Sequence, residues 1–329
     1  MKHAKSMPAM KRKQIDTSAT DDDIAGVEVF VRLRPLVARE LKLGSEIKWK
    51  YNRKAILEDT GSGTKTRTFD GILPPETNNQ QAYDAIAEKL VAKALNGFNV
   101  TMFAYGQTGS GKTWTMMGDD DGKYPGVIPL GLQDIFDQAE KMKGEREYEF
   151  KVSFMEIYNE QINDLLNPNS ANGGGKNLKI VKDDPNLGAI LGDLTETIIT
   201  TKAEALDAMA LGNNSRHTAS TNMNARSSRS HTVFKISIKS WLSDEKQKRD
   251  AEMLASLGED DDEDFHAIGD SGNNDAKSVQ FSSLTLVDLA GSERQKNTKA
   301  TGKILKEGTA ITTKIKTGIA VHKISISVL

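Results

Sequence analysis

The chain has 329 residues, 37% of them hydrophobic, a formal net charge of −2 and no cysteine. That length buries a sizeable core in one large domain or two smaller ones, and the missing thiols exclude disulfides and thiolate metal sites, which fits a reducing compartment. No apolar run approaches the ~20 residues of a membrane-spanning helix, and the basic start is not followed by an apolar signal core, so a soluble intracellular protein is expected.

Residues 1–23 are polar, basic up to Lys13 and acidic at Asp21, Asp22 and Asp23, and read as a disordered leader. Val27 to Leu33 is a β-rich run stopped by Arg34-Pro35. A strand that brings Arg32, Arg34 and Pro35 to its end offers flat cations and a flat ring to a nucleobase. Glu40 to Phe69 reads as short strands turning at Gly61-Ser62-Gly63. Ala82, Ile86, Leu90 and Ala94, spaced by four, predict an amphipathic helix over Asn79 to Asn96, closed by Gly97.

Val100 to Ala104 is a buried strand that breaks into a Gly-rich loop and reopens as a helix. Gly106, Gly111, Lys112 and Thr113 satisfy G-x-x-x-x-G-K-[ST], the spacing that cradles a nucleotide's phosphates. Across Gly106, Gln107, Thr108, Gly109, Ser110 and Gly111, permissive glycines let successive N–H groups turn towards phosphate oxygens. Lys112 adds a point charge for the β and γ phosphates, and the Thr113 hydroxyl stands where Mg²⁺ is held. Helix, buried strand, Gly loop and helix in that order point to an α/β layer fold, with ligand at the carboxyl ends of the strands.

The polar stretch after Met117, GDDDGKYPG, reads as a surface loop, and Val127 to Met142 as a second amphipathic helix. A strand is expected over Glu149 to Ile157, a short helix over Asn159 to Leu166, and a flexible loop over Asn169 to Lys176. Strands follow at Leu178 to Val181 and Leu194 to Ile199, then a helix from Ala203 to Leu211 capped by Gly212. The segment Asn213 to Ser230 gathers hydroxyls and arginines beside a strand, Thr232 to Trp241, as a γ-phosphate sensor requires. Residues 243–278, with the unbroken acidic run Glu259 to Asp264, read as a disordered insertion. Phe281 to Leu289 is a strand ending near Asp288, an aspartate suited to hold Mg²⁺ through water, and Gly291 frees a backbone N–H for the γ-phosphate. Gln295 to Leu329 carries seven lysines and one acid, with a helix possible at Thr309 to Lys316.

Three of these loops resemble one family, the kinesin motor domain. NVTMFAYGQTGSGKTWTM at Asn99 to Met116 is similar to its phosphate loop, NARSSRSH at Asn224 to His231 to its first switch, and VDLAGSER at Val287 to Arg294 to its second. VRLRP at Val31 to Pro35 and VSFMEIYNEQINDLL at Val152 to Leu166 are similar to further family signatures. The resemblance implies a P-loop NTPase with a central, mostly parallel or mixed sheet flanked by helices. It also implies an ATPase, using ATP and Mg²⁺, that works on microtubules in the cytoplasmic cytoskeleton. No nucleic-acid or membrane partner is expected, and the oligomeric state is left open. By the same resemblance Arg32, Arg34 and Pro35 frame the adenine with Trp114. Thr113 and Ser228 ligate Mg²⁺, Asp288 stands one water away, and Gly291 senses the γ-phosphate. Arg229 and Glu293 form the bridge between the switches.

The motor-like region is expected over 24–311. Beyond Ile311 the family's helices and last sheet strand do not match, and 312–329 reads as a divergent tail, so the expected fold lacks its final strand and helices. Two alternatives stay open beside a motor: a non-motile protein that holds nucleotide or microtubules, and a defective fragment.

Overall fold

The computed structural model describes residues 27–47, 49–119, 121–167, 178–184, 188–220, 229–257, 279–292 and 322–328. In chain order it begins with β1 (Glu28–Arg32), α1 (Ala38–Lys42), β2 (Trp49–Tyr51), β3 (Ala55–Asp59), β4 (Thr64–Thr68) and β5 (Gly71–Leu73). α2 (Asn79–Ala82) and α3 (Glu88–Leu95) are joined by a wide π turn at Tyr83–Ala87. Then come β6 (Asn99–Tyr105), α4 (Lys112–Met116), α5 (Val127–Lys141), β7 (Arg146–Tyr158), β8 (Gln161–Asp164), β9 (Ile180–Asp184), β10 (Gly188–Leu191) and β11 (Thr197–Ile199). α6 (Lys202–Ser220), β12 (His231–Leu242), α7 (Asp244–Leu257), β13 (Gln280–Asp288) and β14 (His322–Val328) complete it. None of the described helices is long and apolar enough to cross a membrane.

Nine strands form one sheet in the order β11-β7-β12-β13-β6-β14-β1-β5, with β8 paired to β7. β13, β6, β14, β1 and β5 run parallel, whereas β12, β7 and β11 pair antiparallel. The mixed sheet flanked by helices is the α/β class expected. Burial alternates strictly along most of β12, as a strand with one face on the core requires. Phe234, Ile236 and Ile238 join Val100, Met102, Leu284 and Leu286 in one apolar cluster with Leu90, Val91, Leu132 and Ile135 of α3 and α5. At its centre Phe154 and Phe234 meet edge to face, 5.3 Å apart.

Four expectations give way to the structure. The helix expected at Asn159 to Leu166 is the strand β8, because Asn159 and Glu160 take φ of 49° and 62° and form a two-residue hairpin turn whose twist matches the flanking strands. The helix ending at Gly212 instead runs on as α6. Gly212 lets it press onto the sheet, since a Cβ there would lie 2.1 Å from Phe154 Cδ1. The insertion expected to be disordered opens with the helix α7, whose Lys246 and Asp250 pair at a spacing of four, 3.0 Å apart. Residues 258–278 lie outside the described residues, as do the leader and the loop Asn169 to Lys176.

The last correction concerns the sheet itself. The expected gap beside β6 is filled: β14 lies between β6 and β1, parallel to both, with Ser325 level with Phe103 on one side and Val29 on the other. Two strand edges with unpaired N–H and C=O groups demand a partner, and HKISISV alternates β-branched residues with serine at period two. The segment set apart as a tail thus contributes a central strand, while Thr309 to Lys316 lies outside the described residues.

Candidate nucleotide-binding site

The topology brings the motifs to one edge. β6 and β13 are parallel neighbours in which Ala104 stands level with Asp288, so the phosphate loop and the Asp288 loop leave the sheet side by side. β12 runs the other way, with Thr232 level with Asp288, so the chain enters β12 at the same edge.

In the phosphate loop Gly109 and Gly111 hold φ of +79° and +99°, a region that strains any L side chain. The Lys112 ammonium is buried and donates to the carbonyls of Gly106 at 3.0 Å and Gln107 at 2.9 Å. Thr113 Oγ1 donates to Asp288 Oδ2 at 2.6 Å across 175 residues of sequence. Burial raises the Asp288 carboxyl above its ordinary pKa, outweighing the Thr113 bond and the charges of Arg216 and Lys112. Asp288 Oδ1 and Ser110 Oγ are buried with no hydrogen-bond partner among the described residues.

That chemistry fits a hard cation, which takes oxygen ligands and offsets the cost of a buried carboxylate. Among the described residues no group of three or more His, Asp or Glu side chains is arranged to hold a metal. Mg²⁺ typically arrives with phosphate oxygens and needs only one or two protein ligands. The residues present therefore suit Mg²⁺ carried by a nucleotide.

Beside the loop lies a cavity of about 440 Å³ lined by Arg34, Pro35, Asn78, Trp114, Lys123 and Tyr124 among others. Trp114 and Tyr124 are exposed and pack as a tilted pair, with ring centroids 5.9 Å apart and planes at 43°, which gives the cavity an aromatic wall. Tyr124 sits in the stretch read from sequence only as a surface loop. The Asp119 carboxylate accepts its N–H at 2.7 Å, and Asp119 N–H donates back to the Tyr124 carbonyl at 3.2 Å. A lone aromatic in a run of Gly and Asp was the available signal. Asn78 caps α2 by accepting from Gln81 N–H at 2.8 Å.

The arginines differ. Arg34 donates to Glu40 at 2.5 Å, and that bond, with one from Val37 N–H, holds the Glu40 carboxyl below its ordinary pKa. Arg32 also lines the cavity but is only 7% exposed, and its guanidinium donates to Asn79 Oδ1 at 2.7 Å, Thr115 Oγ1 at 2.9 Å and Thr77 O at 2.9 Å. It ties β1 to α2 and α4. Arg32→Ala leaves these acceptors without their donor and is expected to cost about 3 kcal/mol of stability, read as a lower urea midpoint. An unchanged midpoint with weakened nucleotide binding would instead assign Arg32 to the base.

Leu289 N–H donates to Ala104 O at 3.2 Å and Ser292 N–H to Gly106 O at 3.0 Å. Ala290 N–H donates to His231 Nδ1 at 3.1 Å. Burial, then the charge of Lys112, pushes His231 down to about 4, so its ring is neutral at pH 7. Among the described residues the Gly291 N–H donates to none. Arg216 of α6, unmarked in the sequence reading, is buried 3.8 Å from Glu156 and donates to Ser230 Oγ at 3.5 Å. Arg229 is exposed two residues before β12, while Ser228 and Glu293 lie outside the described residues.

A profile of the kinesin motor domain matches residues 32–317. Similar proteins include the human "Centromere-associated protein E", 40% identical over 286 residues that make up 86% of this chain and 9% of that protein. The "Kinesin-like protein KIN-7D, chloroplastic" of Oryza sativa subsp. japonica is 36% identical over 309 residues, 93% of this chain and 27% of that one. A solved structure described as a fast kinesin superposes with a TM-score of 0.71 at 28% identity, covering 92% of this chain and 85% of its own. The chain thus spans about a quarter or less of the length of these two curated relatives. With its profile, its relatives and its phosphate-loop edge in agreement, the chain belongs to the kinesin motor-domain family.

Proposed function

We propose that this chain binds and hydrolyses MgATP and couples that cycle to microtubule binding, as a motor of the cytoplasmic cytoskeleton. The observation that carries the reading is the meeting of Lys112, Thr113 and Asp288 with the Gly291 N–H, which donates to none of the described residues, at one edge of the sheet. Arg34, Pro35 and Trp114 frame the adenine, with Arg32 fixing that wall and Tyr124 facing Trp114. The N–H groups from Gln107 to Gly111 cradle the phosphates, Lys112 pairs with the β and γ groups, and Gly291 meets the γ-phosphate. Thr113, Ser228 and Asp288 would hold Mg²⁺, which when bound would neutralise charge on the phosphate oxygens. Arg229 and Glu293 close the site and help move a proton from the attacking water. Their pairing acts through orientation, because an ion pair in contact with water adds little net stability.

Phosphate release measured with and without microtubules tests this. MgATP turnover is expected to rise on adding microtubules, and Glu293→Ala to suppress it by about 100-fold or more while nucleotide still binds. Equal loss of binding and turnover would sink the role of Glu293. Binding without turnover in the parent chain would favour a non-motile nucleotide holder.

A further inference from the structure

The loop after β13 is held from three sides. Leu289 N–H is fixed by β6, Ser292 N–H by the phosphate loop and Ala290 N–H by the side chain of His231. The first two bonds go to backbone carbonyls that any sequence supplies. The third depends on one imidazole, 59 residues away and at the first position of β12.

That bond has a specific effect on Gly291. The Ala290 carbonyl and the Gly291 N–H belong to one rigid peptide plane, whose direction follows from the two backbone dihedrals of Ala290. With Ala290 N–H pinned and Ser292 N–H anchored, little freedom is left to that plane, although glycine by itself is the most permissive residue. An imidazole accepts at Nδ1 only when that nitrogen carries no proton. His231 is also three residues beyond Ser228 and two beyond Arg229, so it ties the end of the first switch to the start of the second.

We propose that His231 is a positioning residue for γ-phosphate recognition, aiming the Gly291 N–H by accepting from Ala290 and joining the two switch loops through that contact. This rests on the reading of the site as an ATP site. A histidine that merely fills space would affect stability, and ADP and ATP alike. A positioning histidine affects the nucleotide that carries a γ-phosphate.

Fluorescent ADP and a fluorescent non-hydrolysable ATP analogue, titrated with Mg²⁺ against three variants, separate these roles. Asn places an acceptor near the position of Nδ1, Gln places one near Nε2, and Leu has none. His231→Leu and His231→Gln are expected to keep ADP affinity within about twofold while weakening the ATP analogue about tenfold, and His231→Asn to restore most of the difference. Should the Leu variant fail to fold, the Asn and Gln pair still decides. Equal weakening of both nucleotides, or no difference between Asn and Gln, overturns the assignment while leaving the ATP site intact. A parent chain that binds neither nucleotide overturns the site reading and this inference with it.

Discussion

Lys112→Ala is expected to weaken MgATP binding by more than about 100-fold while leaving the apo fold standing. Lys112 is 7% exposed, and the carbonyls of Gly106 and Gln107 that accept from its ammonium belong to the loop it serves. At an effective dielectric of about 20, a charge ~4 Å from a phosphate oxygen contributes about 4 kcal/mol, far more than a surface pair. The apo protein loses the hydrogen bonds to the loop carbonyls and is relieved of one buried cation, effects of opposite sign. The ligand term therefore dominates. A thermal melt checks this: saturating MgATP raises the midpoint of the parent chain and leaves that of Lys112→Ala unmoved, with apo midpoints close together. Retention of the shift in the variant would place the phosphates elsewhere.

What sequence could reveal here depended on how local the signal was. The phosphate loop, Asp288 and Gly291 each lie in a short motif at a strand end, and parallel neighbours must bring such ends together, so their convergence is legible in the sequence itself. β8 was not. Ile162, Leu165 and Leu166 have helical spacing, and the winning term was a two-residue turn that lets this stretch pair with β7. Gly212 reads as a helix stop in one dimension, and only the distance to Phe154 reveals a close approach. Tyr124 and His231 escaped because their roles depend on distant partners, Trp114 across a folded loop and Ala290 across two strands.

The same reasoning explains why the strand beside the phosphate loop went unread, and it sets the second large effect. HKISISV is short and half polar, weak as a central strand when read alone. Its placement is decided by β1 and β6, which it joins over Glu28 to Arg32 and Val100 to Tyr105. Ser325→Pro removes an N–H where strands pair on both sides, and the ring obstructs the ladder. A cost of about 3 kcal/mol or more is expected, a large fraction of the 5–15 kcal/mol that holds a typical domain together. Because β6 runs directly into Gly106, the loss should reach the site: amide exchange is expected to quicken in Val29 to Arg32 and Val100 to Tyr105, with weaker MgATP binding. Proline at an edge such as Ile198 of β11, which among the described residues borders β7 alone, should cost less and spare those amides. If Ser325→Pro leaves the amides of β6 as protected as in the parent chain, β14 does not support the phosphate loop, and another segment closes the sheet there.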